Sequence, residues 1–259
     1  MPTSIKLYYE RFAQHLFITN LYKNLTMKKL LFLAAIAFSA ASCSYIEGSG
    51  NIVTEKRNTG DFKGISAGGS FEVELKAGPV TSVEVEADDN LIKLIETRVS
   101  GGMLKIESRD NYNIHDGHFK VYITAPEITT IKSSGAANVN AVDVLKSDSR
   151  ILLDVSGAGN IKAAVDAPEI ETEASGAGNI EVSGRTREHT AKASGSGNIK
   201  SSKLLSENTD AHASGAGSVH VHASVNLKAN ASGAGSIYYK GGGTVQQKVS
   251  GAGSVKSEE

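Results

Sequence analysis

Tryptophan is absent, and the 259-residue chain holds one cysteine and four prolines. A single thiol excludes an intrachain disulfide framework, so burial and hydrogen bonding must hold the fold. The net charge is −1 and Lys and Arg are scattered, which removes the electrostatic case for a nucleic-acid partner. The apolar run Leu30–Ala41 is too short to span a bilayer as a helix. What the chain has instead is glycine, 27 residues of it, much of it in one recurring phrase.

The stretch "MKKLLFLAAIAFSAASC" (Met27–Cys43) has a charged start, an apolar run and small residues before its cysteine. That order is a secretory signal, and Cys43 stands where a bacterial lipoprotein signal places the thiol to be acylated. Ala40 occupies the position where Leu is commonest; ordinary cleavage near "SAAS" is the plainer alternative. Acyl chains on Cys43 would anchor an exported chain to a leaflet. Residues 1–26 fit neither signal nor repeat and read as a mis-assigned N-terminal extension. The expected organisation is therefore signal over 27–42, short tether over 43–49, N-terminal β region over 50–132 and repeat region over 133–257. Without residues 1–42 the chain carries 22 basic and 27 acidic side chains, a mildly acidic surface.

"SGAGNI" occurs at Ser156–Ile161 and again at Ser175–Ile180, with close variants starting at Ser134, Ser194, Ser214, Ser232 and Ser250. The spacings run from 18 to 22 residues, a period near 19 that marks a repeat architecture. Before each Ser, apolar or small residues alternate with polar ones: Ile151, Leu153, Val155 against Asp154; Ile170, Thr172, Ala174 against Glu173. After each phrase an apolar residue (Ile161, Ile180, Ile199, Val219, Ile237, Val255) precedes a polar one. Period two on both sides of a glycine turn gives strand, corner, strand. Such a unit cannot bury its apolar face alone, whereas stacked units pair in parallel every ~4.8 Å, so seven rungs make a rod of about 34 Å. The fold class is thus all-β: a parallel β-helix solenoid, taken as right-handed because rungs of varying length fit a strict hexapeptide helix poorly. The corner residues are Ser156, Gly157, Gly159 and Asn160, then Ser175, Gly176, Gly178 and Asn179. The serines are expected inside, as a hydroxyl ladder, and the asparagines as an amide ladder.

Upstream, "SFEVELKAG" and "VTSVEVEAD" alternate as strands about a Gly78-Pro79 turn. "NLIKLIETRVSGG" (Asn90–Gly102) reads as one short helix capped by Asp89 or Asn90 and stopped at Gly101. "MLKIES" and "FKVYITAP" resume strands, and "APEI" recurs at Ala125 and Ala167. The segments "GDFKGISAGGSFEVELKAG", "DDNLIKLIETRVSGGMLKIES" and "VYITAPEI", followed by tandem "SGAGNI" phrases behind a lipoprotein-like signal, resemble the "putative auto-transporter adhesin, head GIN domain" family of Bacteroidetes over roughly residues 50–255. The resemblance implies a β-helical fold and a cell-envelope location, and brings no catalytic residues.

The glycine phrase is not a phosphate loop, because strands follow it where a helix N-terminus is required. "RDNYNIHDGH" gathers Asp110, His115, Asp116 and His118, a weak metal candidate whose spacing does not put His115, Asp116 and His118 on one strand face. A solvated turn explains it better. His212, His220 and His222 fall on outward columns and His189 on an inward one. No cofactor motif and no inward or groove-facing carboxylate pair stands out, so no enzyme is expected. The reading is a non-catalytic lipoprotein of the cell envelope. It is exported and held in the membrane by its lipid, facing the periplasm or outer-membrane surface, and presents a β-helical face to a glycan or protein. The alternatives are a carbohydrate-active β-helix enzyme and a structural module assembling copies through an open sheet edge.

Overall fold

Alternation at period two and the glycine corners build the architecture directly. A computed structural model describes residues 45–109 and 113–258; Cys43, the signal segment and Asp110 lie outside them. From Ile46 onward the chain is one compact unit, a parallel β-solenoid of about seven turns with rungs near 19 residues.

Two strand faces run the length of the solenoid. The pre-corner face stacks Gly64–Gly69, Thr130–Gly135, Ile151–Gly157, Glu169–Gly176, the second halves of Asn179–Gly195 and Asn198–Gly215, then Asn226–Gly233 and Thr244–Gly251. The post-corner face stacks Glu72–Ala77, Asn138–Lys146, Asn160–Asp166, the first halves of those two long strands, then Ser218–His222, Ser236–Lys240 and Ser254–Ser257. Identical phrase positions sit opposite one another: Ser156 beside Ser175, Gly157 beside Gly176, Ile161 beside Ile180. Register also places Gly68–Val73 as an earlier copy of the phrase, with Gly69 beside Gly135 and Val73 beside Val139. Its letters, "GGSFEV", hide it. Phe71 takes the place of the inward glycine and, packed on Phe119 at 5.6 Å between ring centres, fills the N-terminal end of the core.

The corners close on themselves. In each phrase the first glycine has positive φ, +122° at Gly157 and +98° at Gly176. The second points inward, with no room for a side chain against the rung before it. Corner amides are spent rung to rung: Ala177 N and Gly178 N both donate to Gly157 O at 2.8 Å, and Ser196 N and Gly197 N to Gly176 O at 2.7 and 2.9 Å. Those donors are spent on carbonyls and are not ready for an anion.

The asparagine column is a continuous ladder. Asn160 Nδ2 donates to Asn138 Oδ1 at 2.8 Å, Asn179 to Asn160 at 2.9 Å, Asn198 to Asn179 at 3.0 Å, and Ser218 Oγ to Asn198 Oδ1 at 2.7 Å. The serine column differs from expectation. Ser156, Ser175, Ser194 and Ser214 are exposed, and among the described residues no hydroxyl of that column bonds the next. Val155 is buried, so period two turns Ser156 outward; the inward place belongs to the second glycine. Asn179→Ala is expected to cost about 1 kcal/mol, because it leaves Asn198 and Asn160 each short of a partner, while Ser175→Ala stays within about 0.5 kcal/mol. Thermal melts of the two variants check the contrast.

The N-terminal half departs from a pure solenoid. Asn90–Gly102 is not a helix. Only Ile92–Leu94 forms a 3-10 turn, and Ile95–Ser100 is a strand antiparallel to Met103–Ser108. Gly101 and Gly102 both have positive φ, +60° and +73°, the conformation of a two-residue type I′ hairpin turn. The Gly-Gly pair is thus a hairpin loop, and Ile95, Thr97 and Val99 follow period two. Strands Glu72–Ala77 and Ser82–Asp88 do not pair with each other across Gly78-Pro79. Both flank Phe119–Ala125, the first parallel and the second antiparallel to it. Ile52–Arg57 lies antiparallel outside Ser82–Asp88 and completes this end.

Candidate functional site: a groove along the return edge

The third side of each rung, where the post-corner strand swings back to the next pre-corner strand, is uneven. All three prolines after the signal segment lie here: Pro79, Pro126 and Pro168. Proline donates no ladder bond, so the chain leaves the sheet around it and a hollow forms. Three hollows join end to end. One of about 790 Å³ is lined by Phe62, Pro79, Val80, Met103, Pro126 and Glu127, among others. The next, about 550 Å³, shares Pro126 and Glu127 with it and reaches Asp166 and Pro168. A third, about 610 Å³, shares Asp166 and Pro168 and continues past Arg185, Leu205 and His222. The result is a groove parallel to the solenoid axis, crossing successive rungs.

Its floor is apolar at the N-terminal end, where Val80 is 71% exposed, and Leu205, 58% exposed, supplies an apolar spot at the other. Its walls are ion pairs. Lys63 Nζ lies 2.6 Å from Glu127 Oε2, while Ser147 Oγ donates to Glu127 Oε1 at 2.7 Å. Arg185 grips Asp166 with two bonds, 3.1 and 2.7 Å. The Lys63 ammonium, then the Ser147 hydroxyl, hold Glu127 below the ordinary carboxylate range, and the Arg185 guanidinium does the same for Asp166. Both carboxylates are therefore ionised at neutral pH, whereas a glycosidase acid needs a raised pKa to keep its proton. The return-edge amides bond from rung to rung, as from Glu188 N to Pro168 O at 3.1 Å and Val225 N to Glu207 O at 2.9 Å. A ligand in the groove meets side chains, not free strand edges.

The sequence-derived candidates fall elsewhere. His118 Nε2 sits 2.8 Å from Glu86, Asp116 occupies a turn with φ +49°, and the side chain of His115 lies outside the described ones. Among the described residues no group of three His, Cys, Asp or Glu side chains converges as a metal site. His212 pairs with Asp210 on the pre-corner face, His220 with Glu258 on the post-corner face, and His222 Nδ1 faces Ser206 in the groove, so the histidines do not gather. His189 is buried, 2% exposed, with Nε2 3.2 Å from the Thr172 hydroxyl and Nδ1 unpartnered. The corner residues Ser156, Gly157, Gly159, Asn160, Ser175, Gly176, Gly178 and Asn179 lie along the opposite edge, away from the groove. Sequence reasoning did not find the groove. Its trace was the placement of the prolines, including the two "APEI" copies, always in the return.

The profile of the "putative auto-transporter adhesin, head GIN domain" family matches residues 61–243. No curated protein matches the chain in sequence. Among solved structures, a "putative adhesin" from Bacteroides fragilis is similar at 23% identity and a TM-score of 0.77, covering 82% of this chain and 100% of its own. A "putative lipid binding protein" from Parabacteroides distasonis matches at 23% identity and 0.71, covering 83% and 100%. A "putative adhesin" from the same species matches at 26% identity and 0.65, again covering 83% and 100%. With more than half of its length under the family profile, the chain belongs to the "putative auto-transporter adhesin, head GIN domain" family.

Proposed function

We propose that this protein is a non-catalytic, exported adhesin, anchored through acylated Cys43, whose return-edge groove holds an extended glycan. The family is adhesin-like, which fits a cell-surface or exported protein. The observation that carries the ligand reading is the continuity of the three hollows across successive rungs. A groove running across the strands suits a linear polymer lying along the axis. The ~4.8 Å rung repeat is close to the length of one sugar residue in an extended chain. An extended peptide would want backbone partners, and the return edge has spent them. Paired carboxylates and cations such as Asp166–Arg185 offer acceptors and donors side by side, which is what hydroxyl-rich ligands need. The mainly apolar hollow beside Pro79 favours a second reading, an acyl chain seated there, and one similar structure is that of a "putative lipid binding protein".

One experiment separates these readings. Cells displaying the full chain are tested on a panel of immobilised neutral linear polysaccharides and against a labelled fatty acid. The parent is expected to bind a polysaccharide. Cys43→Ser should shed the chain into the medium. Val80→Asp with Leu205→Asp should keep display and lower glycan binding at least tenfold, since both side chains are exposed and folding does not need them. Glycan binding that survives the double substitution removes the groove as the site. Fatty-acid binding lost on Val80→Asp alone puts the acyl chain in its place.

A further inference from the structure

Charge is divided along the solenoid. Residues 198–259 hold six lysines and no arginine against four acidic side chains, Glu207, Asp210, Glu258 and Glu259, in a chain that is otherwise acidic. In the earlier rungs the pre-corner face neutralises its cations: Lys132 pairs with Asp154 at 3.4 Å, Arg150 with Glu171, and Lys192 with both Glu171 and Glu173 at 2.8 Å. On the post-corner face of the last rungs the pattern reverses. Lys200, His220, Tyr238 and Lys256 stand in one register column, which continues beyond Lys200 to the exposed Glu181 without an ion pair between the two. Lys200 and Lys256 are exposed, and neither has an ion-pair partner among the described residues.

Between them His220 stacks on Tyr238, ring centres 4.7 Å apart and planes within 18°. Glu258 Oε1, 2.7 Å from Nδ1, holds the imidazole in place. Rings stacked from rung to rung turn their edges outward, so the surface meets the tyrosine hydroxyl and the imidazole rim, not an aromatic face. The adjacent column is Asn198, Ser218, Ser236 and Ser254, with Ser236 and Ser254 hydroxyls 3.1 Å apart. The column from Lys200 to Lys256 spans three rung steps, about 14 Å. It offers a cation at each end, polar ring edges between, and a parallel row of amide and hydroxyl groups.

We propose that this face is a second binding surface, for an acidic polysaccharide laid along the solenoid axis. The inference stands apart from the groove, which lies on the return edge. Carboxylate or sulfate groups would take charge-assisted bonds from Lys200 and Lys256, and sugar hydroxyls would meet the serine row. Each exposed contact is weak, and repetition along a polymer supplies avidity. A lipid surface fits less well, because an interfacial site buries apolar side chains and none of the large exposed hydrophobics stands in these columns.

The test is retention of the folded protein on immobilised polygalacturonate and on heparin, with neutral dextran and phosphatidylglycerol vesicles as contrasts. Binding to at least one acidic polymer and not to dextran is expected, weakening as salt rises. Lys200→Glu with Lys256→Glu should lower it at least tenfold with an unchanged circular dichroism spectrum, while Val80→Asp leaves it intact. Binding to neither acidic polymer overturns the proposal. So does a double variant that binds like the parent, or vesicle binding tighter than polymer binding.

Discussion

A Gly178→Val chain is expected to melt roughly 6–12 °C below the parent, equivalent to about 3 kcal/mol or more for a unit of this size. The reason is space rather than backbone conformation. Gly178 does not have positive φ; that role belongs to Gly176, at +98°. A Cβ built on Gly178 would lie 2.3 Å from the carbonyl oxygen of Gly159 and 2.4 Å from Cγ1 of Val155. The carbonyl cannot retreat without opening the rung, since it accepts from Asn179 N at 3.1 Å. The same close approach recurs at Gly197 and Gly217, each against the glycine one rung earlier. Gly242→Ala is the control, because nothing lies within 4 Å of the added atom and φ is ordinary. Its stability should stay within about 0.5 kcal/mol of the parent. A Gly178→Val melt indistinguishable from that control would refute the packed corner. Hydrogen exchange should place the loss in the rungs on either side, as expected where each repeat contacts only its neighbours.

Mild acid should destabilise the protein through one residue, His189. Burial pushes its imidazole down from 6.5 to about 4. The unfolded chain therefore binds the extra proton over that interval while the folded chain does not. Stability is complete above about pH 6.5 and is lost as pH falls toward 4, by roughly 3 kcal/mol in all. Urea midpoints at pH 7.5 and pH 5.5 read the upper part of this window, before the unfolded chain takes up protons on Glu127, Asp166 and Glu171, whose lowered folded pKa values cost stability at lower pH. His189→Leu should flatten most of the difference. Its column neighbours Ile170 and Thr209 show that the site takes an uncharged side chain, and Leu227 stands in the same column. Thr172 Oγ1 keeps a second acceptor, Thr190 O, at 3.4 Å. Equal loss of stability in parent and His189→Leu chains would remove His189 as the acid-sensitive group.

The corner serines and the Asn90–Gly102 segment mark where local pattern reading stops. Ser156 and Gly159 are both small, and composition does not say which one faces the core; the turn at Gly157 between them decides, by rotating the chain so that Gly159 is inward. In the segment after Asn90, Leu91, Ile92, Leu94 and Ile95 fit a helical stripe, yet Ile95, Thr97 and Val99 also fit period two. Pairing with Met103–Ser108 chose the strand, because it closes a hairpin on Gly101-Gly102 and buries Leu104 and Ile106 in the core. Gly68–Val73 was a rung that no letter-by-letter repeat could reveal, since it shares backbone register and little else with the later phrases.

By itself the sequence determined the solenoid: the 19-residue period, the glycine corners, the inward apolar columns and the asparagine ladder all follow from residues that repeat their neighbours' chemistry. Repetition is legible because each rung contacts the next copy of itself, so local pattern and tertiary contact are the same information. Only the tertiary structure decided the groove, the antiparallel cap and the basic face. Those depend on residues far apart in the chain, such as Pro79 with Pro126 and Pro168, or Lys200 with Lys256, meeting on one side of the rod. Stacking sets which side that is, and no single rung encodes it.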